Sequence, residues 1–152
     1  MTDLPQAGLA EDASLALEDQ LCFALYAASR AMTARYRPVL DELGLTYPQY
    51  LVMIVLWDDG TSTVSHIGER LRLDSGTLSP LLKRLEAREL IRRARRTDDE
   101  RSVDISLTDA GLALRDRAQF VPQRISRLLS DIDISRLRGQ LRTLENRLAD
   151  LT

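Results

Sequence analysis

The spacing of apolar residues along this chain changes several times, and each change marks a change of element. Over residues 14–36, Leu17, Leu21, Leu25, Ala28 and Met32 return at steps of three and four, which places them on one face of a long helix. Arg37-Pro38 predicts its end, since proline disfavours helical geometry in the residue before it. From Pro48, a good first-turn residue, to Trp57 the apolar positions fall on every side, so this helix is expected at the buried centre. A short helix is expected over residues 64–71. Asp74-Ser75 then caps a further helix to about Arg88, with Leu78, Leu81, Leu82 and Leu85 turned inward. Period two takes over where Val103, Ile105 and Leu107 alternate with Asp104 and Ser106. Residues 90–96 and 102–107 read as two strands, joined by the polar Thr97-Asp98-Asp99-Glu100-Arg101. Thr108-Asp109 caps a last, long helix, which ends in a heptad stripe of Leu137, Leu141, Leu144, Leu148 and Leu151.

Helix, short helix, capped helix and two-stranded hairpin, in that order, make a winged helix-turn-helix. The fold class is therefore mainly α with a small β-hairpin wing. At 152 residues one domain is expected. Residues 1–13 form a flexible acidic N-terminus, and residues 14–152 the domain, with its reading unit at 46–109. The helices at 14–38 and 110–152 lie outside that unit. Their apolar faces, the leucine stripe included, pack either on the chain's own core or against a twofold partner as dimerisation helices.

Charge sharpens this picture only when taken by segment. The net charge is −2, yet residues 70–96 carry nine basic side chains against three acidic ones, a local +6 that suits phosphates. An α-helix fits the major groove, with its first residues at base edges and flanking cations on the backbone. Ser75, Thr77 and Ser79 are the candidates for close approach; Lys83 and Arg84 are placed on phosphate, and Arg95 and Arg101 on the wing. Asp99 is expected to orient the Arg101 guanidinium into a narrow minor groove by a charge-assisted hydrogen bond. The plainer reading of that turn is a solvated salt bridge.

The single cysteine, Cys22, is either inert packing or a reactive thiol. No apolar run approaches the roughly 20 residues of a membrane span, and the N-terminus has the wrong charge for a leader, so a cytoplasmic location is expected. His66, the only histidine, has no cysteine or carboxylate cluster at ligand spacing. No metal and no cofactor are expected, and nothing else looks catalytic.

The run from Leu71 to Glu86, with Asp74-Ser75-Gly76-Thr77-Leu78-Ser79-Pro80-Leu81-Leu82 at its centre, together with Asp99-Glu100-Arg101 and Leu107-Thr108-Asp109-Ala110-Gly111, resembles the MarR family of winged-helix repressors. It is most similar to the branch that senses organic hydroperoxides. That resemblance implies an obligate homodimer, clasped by its first and last helices on a double-stranded palindromic operator. It also implies a reactive cysteine near the start of the first helix paired with two tyrosines, and Cys22, Tyr36 and Tyr47 stand at those positions. Cys22 and Tyr36 are 14 positions apart, or roughly 21 Å along one helix, so they can meet only across a dimer with antiparallel first helices. Two phenols can donate hydrogen bonds to a thiolate, and a hydroperoxide would oxidise it first to a sulfenic acid. Some family members carry a second, resolving cysteine in the late helix. Here that region reads Arg124-Ile125-Ser126-Arg127-Leu128, which implies the one-cysteine type and a small cellular thiol as the resolving partner.

Three other functions compete with this one. The same repressor could answer to a non-covalently bound phenolic acid, lodged between the dimer arms and the reading lobe. A thiol peroxidase would use Cys22 catalytically, although the proline- and threonine-framed cysteine of peroxiredoxins is missing. A pure dimerisation module would leave the arginine-rich hairpin without a purpose.

Overall fold

The computed structural model describes residues 14–151; the expectations for residues 1–13 and for Thr152 lie outside it. A 3-10 turn at Leu17–Asp19 leads into α1 (Leu21–Asp41), followed by α2 (Tyr47–Asp59), β1 (Ser62–Thr63), α3 (Val64–Leu71) and α4 (Ser75–Ala87). The wing strands β2 (Ile91–Arg95) and β3 (Val103–Leu107) come next, then α5 (Asp109–Ala118), α6 (Phe120–Leu128) and α7 (Ile134–Ala149). This is the expected winged helix-turn-helix between helical arms.

α1 departs from expectation at both ends. It begins at Leu21, seven residues later than the apolar spacing suggests, and runs through Pro38 instead of stopping before it. Burial overrides the local cost of proline: one turn of helix beyond Tyr36 brings Val39 and Leu40 into the core, where Leu40 is fully buried. The chain then leaves the helix at Gly44, whose φ of 65° belongs to the left-handed region that glycine enters freely. Leu45 N–H closes back on the Leu40 carbonyl at 3.1 Å.

α2 is the buried centre. Tyr50, Val52, Met53, Val55 and Leu56 are all buried, and Thr46 starts the helix with a reciprocal capping box to Gln49. Around it pack Ile67 of α3, Leu78, Leu82 and Leu85 of α4, Ile91 and Ile105 of the wing, and Leu114, Val121 and Ile125 of α5 and α6. The wing has three strands, not two. Ser62 and Thr63 pair antiparallel with Ile105 and Asp104, so β3 lies between β1 and β2. Two residues are too short for an alternating pattern to announce a strand.

The expected long last helix is three helices. It bends at Gln119, which ends α5 and leads into α6, and it breaks again over residues 129–133 before Asp133 caps α7 by accepting from Arg136 N–H at 3.0 Å. Val121 and Ile125 turn into the core, whereas α7 buries none of its residues. Where α5 crosses the end of the wing, Gly111 presses against the Leu90 carbonyl, and a β-carbon there would collide with it. Trp57 Nε1 donates to the Gly111 carbonyl at 2.9 Å and ties α2 to this crossing.

Candidate functional site

Two sets of side chains carry chemistry, one on the reading lobe and one on α1. On the lobe, Asp74 caps α4: one carboxylate oxygen accepts from Thr77 N–H at 2.8 Å and the other from the Thr77 hydroxyl at 3.0 Å. These hydrogen bonds hold the Asp74 carboxyl below the usual carboxylate range, so the cap remains charged. Leu78, Leu82 and Leu85 take the inner face of α4, which leaves Thr77, Lys83 and Arg84 exposed on the other side. Thr77 keeps only acceptor capacity for a groove, since its hydroxyl proton is spent on the cap.

Ser75 and Ser79 turn toward the wing. With Ser65 of α3, Arg93 of β2 and Arg101 of the wing tip they line a cleft of about 270 Å³. Ser65 and Arg93 are functional candidates that the sequence pattern did not single out. The signal was present for Arg93: it shares a strand face with buried Ile91 and with Arg95, and pairs with Ile105 across the ladder. Arg95 lies farther along the same face, exposed, opposite Val103.

The expected role of Asp99 needs correction. Its carboxylate accepts from the backbone N–H of Arg101 at 3.1 Å and from the Ser102 hydroxyl at 3.0 Å, so it shapes the turn and leaves the guanidinium alone. A residue two positions from its partner reaches the backbone more readily than the far end of a long side chain. The ion pair of the tip is Arg96–Asp98, bidentate at 2.9 and 2.7 Å. His66 also has a partner that spacing did not reveal, Asp59 at 2.8 Å, which in turn holds Arg70.

Pairing sorts the basic block by place. Arg70, Arg72 and Arg96 are held by carboxylates, and Arg88 donates to the Gly44 and Leu43 carbonyls. Among the described residues, Lys83, Arg84, Arg92, Arg93, Arg95 and Arg101 have no carboxylate within ion-pair distance. Within residues 70–101 the cations without a carboxylate partner therefore belong to α4 and the wing, the two elements that a winged helix presents to DNA.

On α1, Cys22 is exposed in the first turn. Tyr36 lies on the same helix, about 21 Å farther along by helical rise. Tyr36 and Tyr47 are brought together, with ring centroids 4.8 Å apart, and Tyr50 joins them at 6.2 Å from Tyr36. Tyr50 was missed by the sequence reading; it follows Tyr47 by three positions, one helical turn on. Burial pushes all three phenols up, and Tyr50, which also feels Tyr36 and Tyr47, rises to about 12. All three remain protonated at neutral pH and able to donate. Because Tyr47 rests on Tyr36, neither approaches the Cys22 of its own chain.

The family model described as the transcriptional regulator SarA/Rot matches residues 34–117. The organic hydroperoxide resistance transcriptional regulator of Bacillus subtilis (strain 168) is 52% identical over 130 residues, 84% of this chain and 88% of its own length. Among solved structures, reduced AbfR bound to DNA has a TM-score of 0.76 at 37% identity, over 90% of this chain and 94% of that one. The PcaV transcriptional regulator from Streptomyces coelicolor, in complex with its natural ligand, also has a TM-score of 0.76, at 25% identity over 91% and 97% of the two chains.

Proposed function

This chain belongs to the MarR family of winged-helix regulators, in the branch of the organic hydroperoxide regulators, and on that premise we propose that it is a cytoplasmic DNA-binding repressor which oxidation of Cys22 releases from its operator. The observation that carries this reading is the separation on α1: a thiol exposed at one end, and a pair of protonated phenols at the other that cannot reach it within one chain. An antiparallel partner helix would supply the missing half to each site, so two sensors would be built by one homodimer.

The apolar surface supports that dimer. Leu137, Leu141 and Leu148 of α7 are exposed, and α7 lines a cleft of about 1040 Å³ with Met32 of α1 and Leu128 of α6. An open apolar cleft of this size asks for cover. Twofold symmetry then sets two reading lobes on half-sites about 34 Å apart, as a palindromic operator requires.

In the chemical step the Cys22 thiolate attacks the distal oxygen of the hydroperoxide. The O–O bond breaks and the alkoxide leaves, taking a proton to become the alcohol. Sulfur is oxidised by two electrons to a sulfenic acid, and the peroxide is reduced. Tyr36 and Tyr47 of the partner would hold the sulfur and the departing oxygen by donating hydrogen bonds. A small cellular thiol then condenses with the sulfenic acid, giving a mixed disulfide and water. An adduct wedged between α1 and its partner would change the spacing of the lobes. In this sequence of steps the oxidised sulfur is the signal itself, and multiple-turnover consumption of peroxide would favour the thiol peroxidase reading instead.

Gel-shift titration with Cys22→Ser is the direct test. The variant is expected to bind operator like the unaltered protein and to stay bound after cumene hydroperoxide is added. Release of the variant by peroxide would remove Cys22 from the mechanism. Release by a phenolic acid alone would favour the non-covalent route, which the ligand-bound PcaV relative brings into view.

A further inference from the structure

Tyr36, near the end of α1, and Tyr47, at the start of α2, are joined by a short loop on which arginines from α5, α6 and the end of α4 converge. Arg117 of α5 donates to the Glu42 carbonyl at 3.2 Å, and Arg124 of α6 pairs with the Glu42 carboxylate. Arg88 is the residue that ends α4, where its N–H closes on the Arg84 carbonyl. Its guanidinium donates through Nη1 to the Gly44 carbonyl and through Nη2 to the Leu43 carbonyl, the latter at 3.2 Å. The loop is shaped to offer these acceptors. Leu43 and Leu45 are buried on either side of Gly44, and the N–H groups of all three are spent on the Leu40 and Asp41 carbonyls. A β-carbon at Gly44 would stand 2.7 Å from Arg88 Nη2, so glycine serves the approach of the guanidinium as well as the turn. Capping the exposed carbonyls that end α1 is an ordinary use for a cation, and Arg117 already does it. Arg88 differs in where it starts, on the helix that faces the major groove in the proposed reading.

We infer that Arg88 is the positioning residue through which the state of the phenol pair reaches α4. The inference rests on the sensor reading above, in which an adduct on the partner's Cys22 lodges against Tyr36 and Tyr47. Such an adduct displaces the rings, and Tyr47 is only three residues from Gly44, so the loop moves with them. Adjacent carbonyls of that loop are held by one planar guanidinium, a charge-assisted and directional contact. By contrast, α2 meets α4 through apolar side chains of the core, whose contacts have no preferred direction. The end of α4 therefore follows the loop, and the helix tilts in the groove. With Arg88 disconnected, the loop keeps its anchors at Glu42, Leu43 and Leu45, so the phenols stay in place and the thiol still reacts, but α4 no longer follows.

The test uses the full chain and its operator. Cys22 oxidation by cumene hydroperoxide is timed by sulfenic acid trapping and mass spectrometry, and operator Kd is measured for the reduced protein and for protein oxidised and then capped with cysteine. The unaltered protein is expected to lose about 100-fold in affinity on oxidation. Arg88→Met keeps the apolar stem and removes the donors. In that variant the oxidation rate and the reduced affinity should stay within about threefold of the unaltered protein, while the loss on oxidation falls below about tenfold. Arg88→Lys, which can still donate to one carbonyl, should restore part of the loss. The reduced affinity also reports folding, so a misfolded variant cannot pass for a positive result. A loss on oxidation undiminished in Arg88→Met overturns the inference. So does a ratio that shrinks only because the reduced variant already binds as weakly as the oxidised protein, which would make Arg88 a plain support of α4. Slower oxidation of Cys22 with release intact overturns it too, since Arg88 would then serve the phenols alone. Failure of peroxide to oxidise Cys22 in the unaltered protein, or to release it from the operator, is a different outcome, and it brings down the sensor reading and this inference together.

Discussion

The reading lobe and the arms of this protein are built on opposite terms. In the lobe, Met53, Leu56, Ile67, Leu82 and Ile105 are sealed from water, α2, α3 and α4 begin on side-chain caps, and β3 of the wing is pinned between β1 and β2. In the arms, α7 buries nothing, α1 starts on Gln20 with no side-chain cap, and leucines stand open to solvent. The lobe is complete within one chain and the arms are not. Cys22 sits on the arm and its candidate tyrosines at the edge of the lobe, so in the proposed reading one chain builds the surface that reads DNA while sensing draws on a second copy.

The largest effect should come from breaking the lobe. Gly111→Ala drives a methyl group into the Leu90 carbonyl, where backbone must move, and a loss of about 3 kcal/mol is expected in thermal or urea denaturation. Normal stability in that variant would mean that the crossing of α5 over the wing is looser than described. Next is the arm. Leu141→Glu, which puts a charge on the exposed stripe, should leave the lobe folded but turn the dimer into monomer in analytical ultracentrifugation, with operator affinity down by about 100-fold as the two half-sites uncouple. A dimer that survives would place the interface elsewhere.

A smaller effect separates cations within the lobe. Arg93 lines the cleft between wing and α4 without a carboxylate partner, whereas Arg96 is clamped by Asp98. If Arg93 neutralises one phosphate, Arg93→Ala should lower the slope of log affinity against log salt by about 0.9 and weaken binding several-fold. Arg96→Ala should change both much less. Equal effects would show that pairing does not decide which arginines serve the DNA.

How much of this the sequence discloses follows the same division. The helices and the hairpin of the lobe were legible, because caps such as Asp74 and Thr108 and the alternation of Val103, Ile105 and Leu107 are local signals that the tertiary structure then obeys, whereas the two-residue β1 was not. Misreadings cluster where distant burial overrides local preference. Pro38 stays in a helix because Leu40 must reach the core, and the last helix breaks because Val121 and Ile125 must turn inward while α7 remains outside. For the candidate site, Ser75, Ser79 and Arg101 gather in one cleft that no local spacing announced, and Asp99 bonds the backbone instead of a guanidinium. The separation of Tyr36 from Cys22 was readable from helical rise alone, whereas the contact of Tyr47 with Tyr36 joins two helices and was not. Cys22 is exposed in one chain, and a cover supplied by the proposed partner would leave no local mark in the sequence.

The smallest expected effect probes the arms from their other side. Gly139 lies within α7 and a β-carbon there meets nothing within 4 Å. Glycine costs a helix interior about 0.5–1 kcal/mol relative to alanine, so Gly139→Ala should stabilise α7 by that amount if its surroundings are open. The position is two residues on from Leu137, which turns it away from the stripe of Leu137, Leu141, Leu144 and Leu148. A partner that covers only the stripe would leave Gly139 facing water, and the melting temperature should rise slightly with dimer affinity unchanged. A partner helix that also crosses the back of α7 would need the glycine for close approach, and the same substitution would then weaken the dimer in sedimentation equilibrium. The sign of this one effect therefore decides whether α7 is capped along a single seam or enclosed on both faces by the second copy.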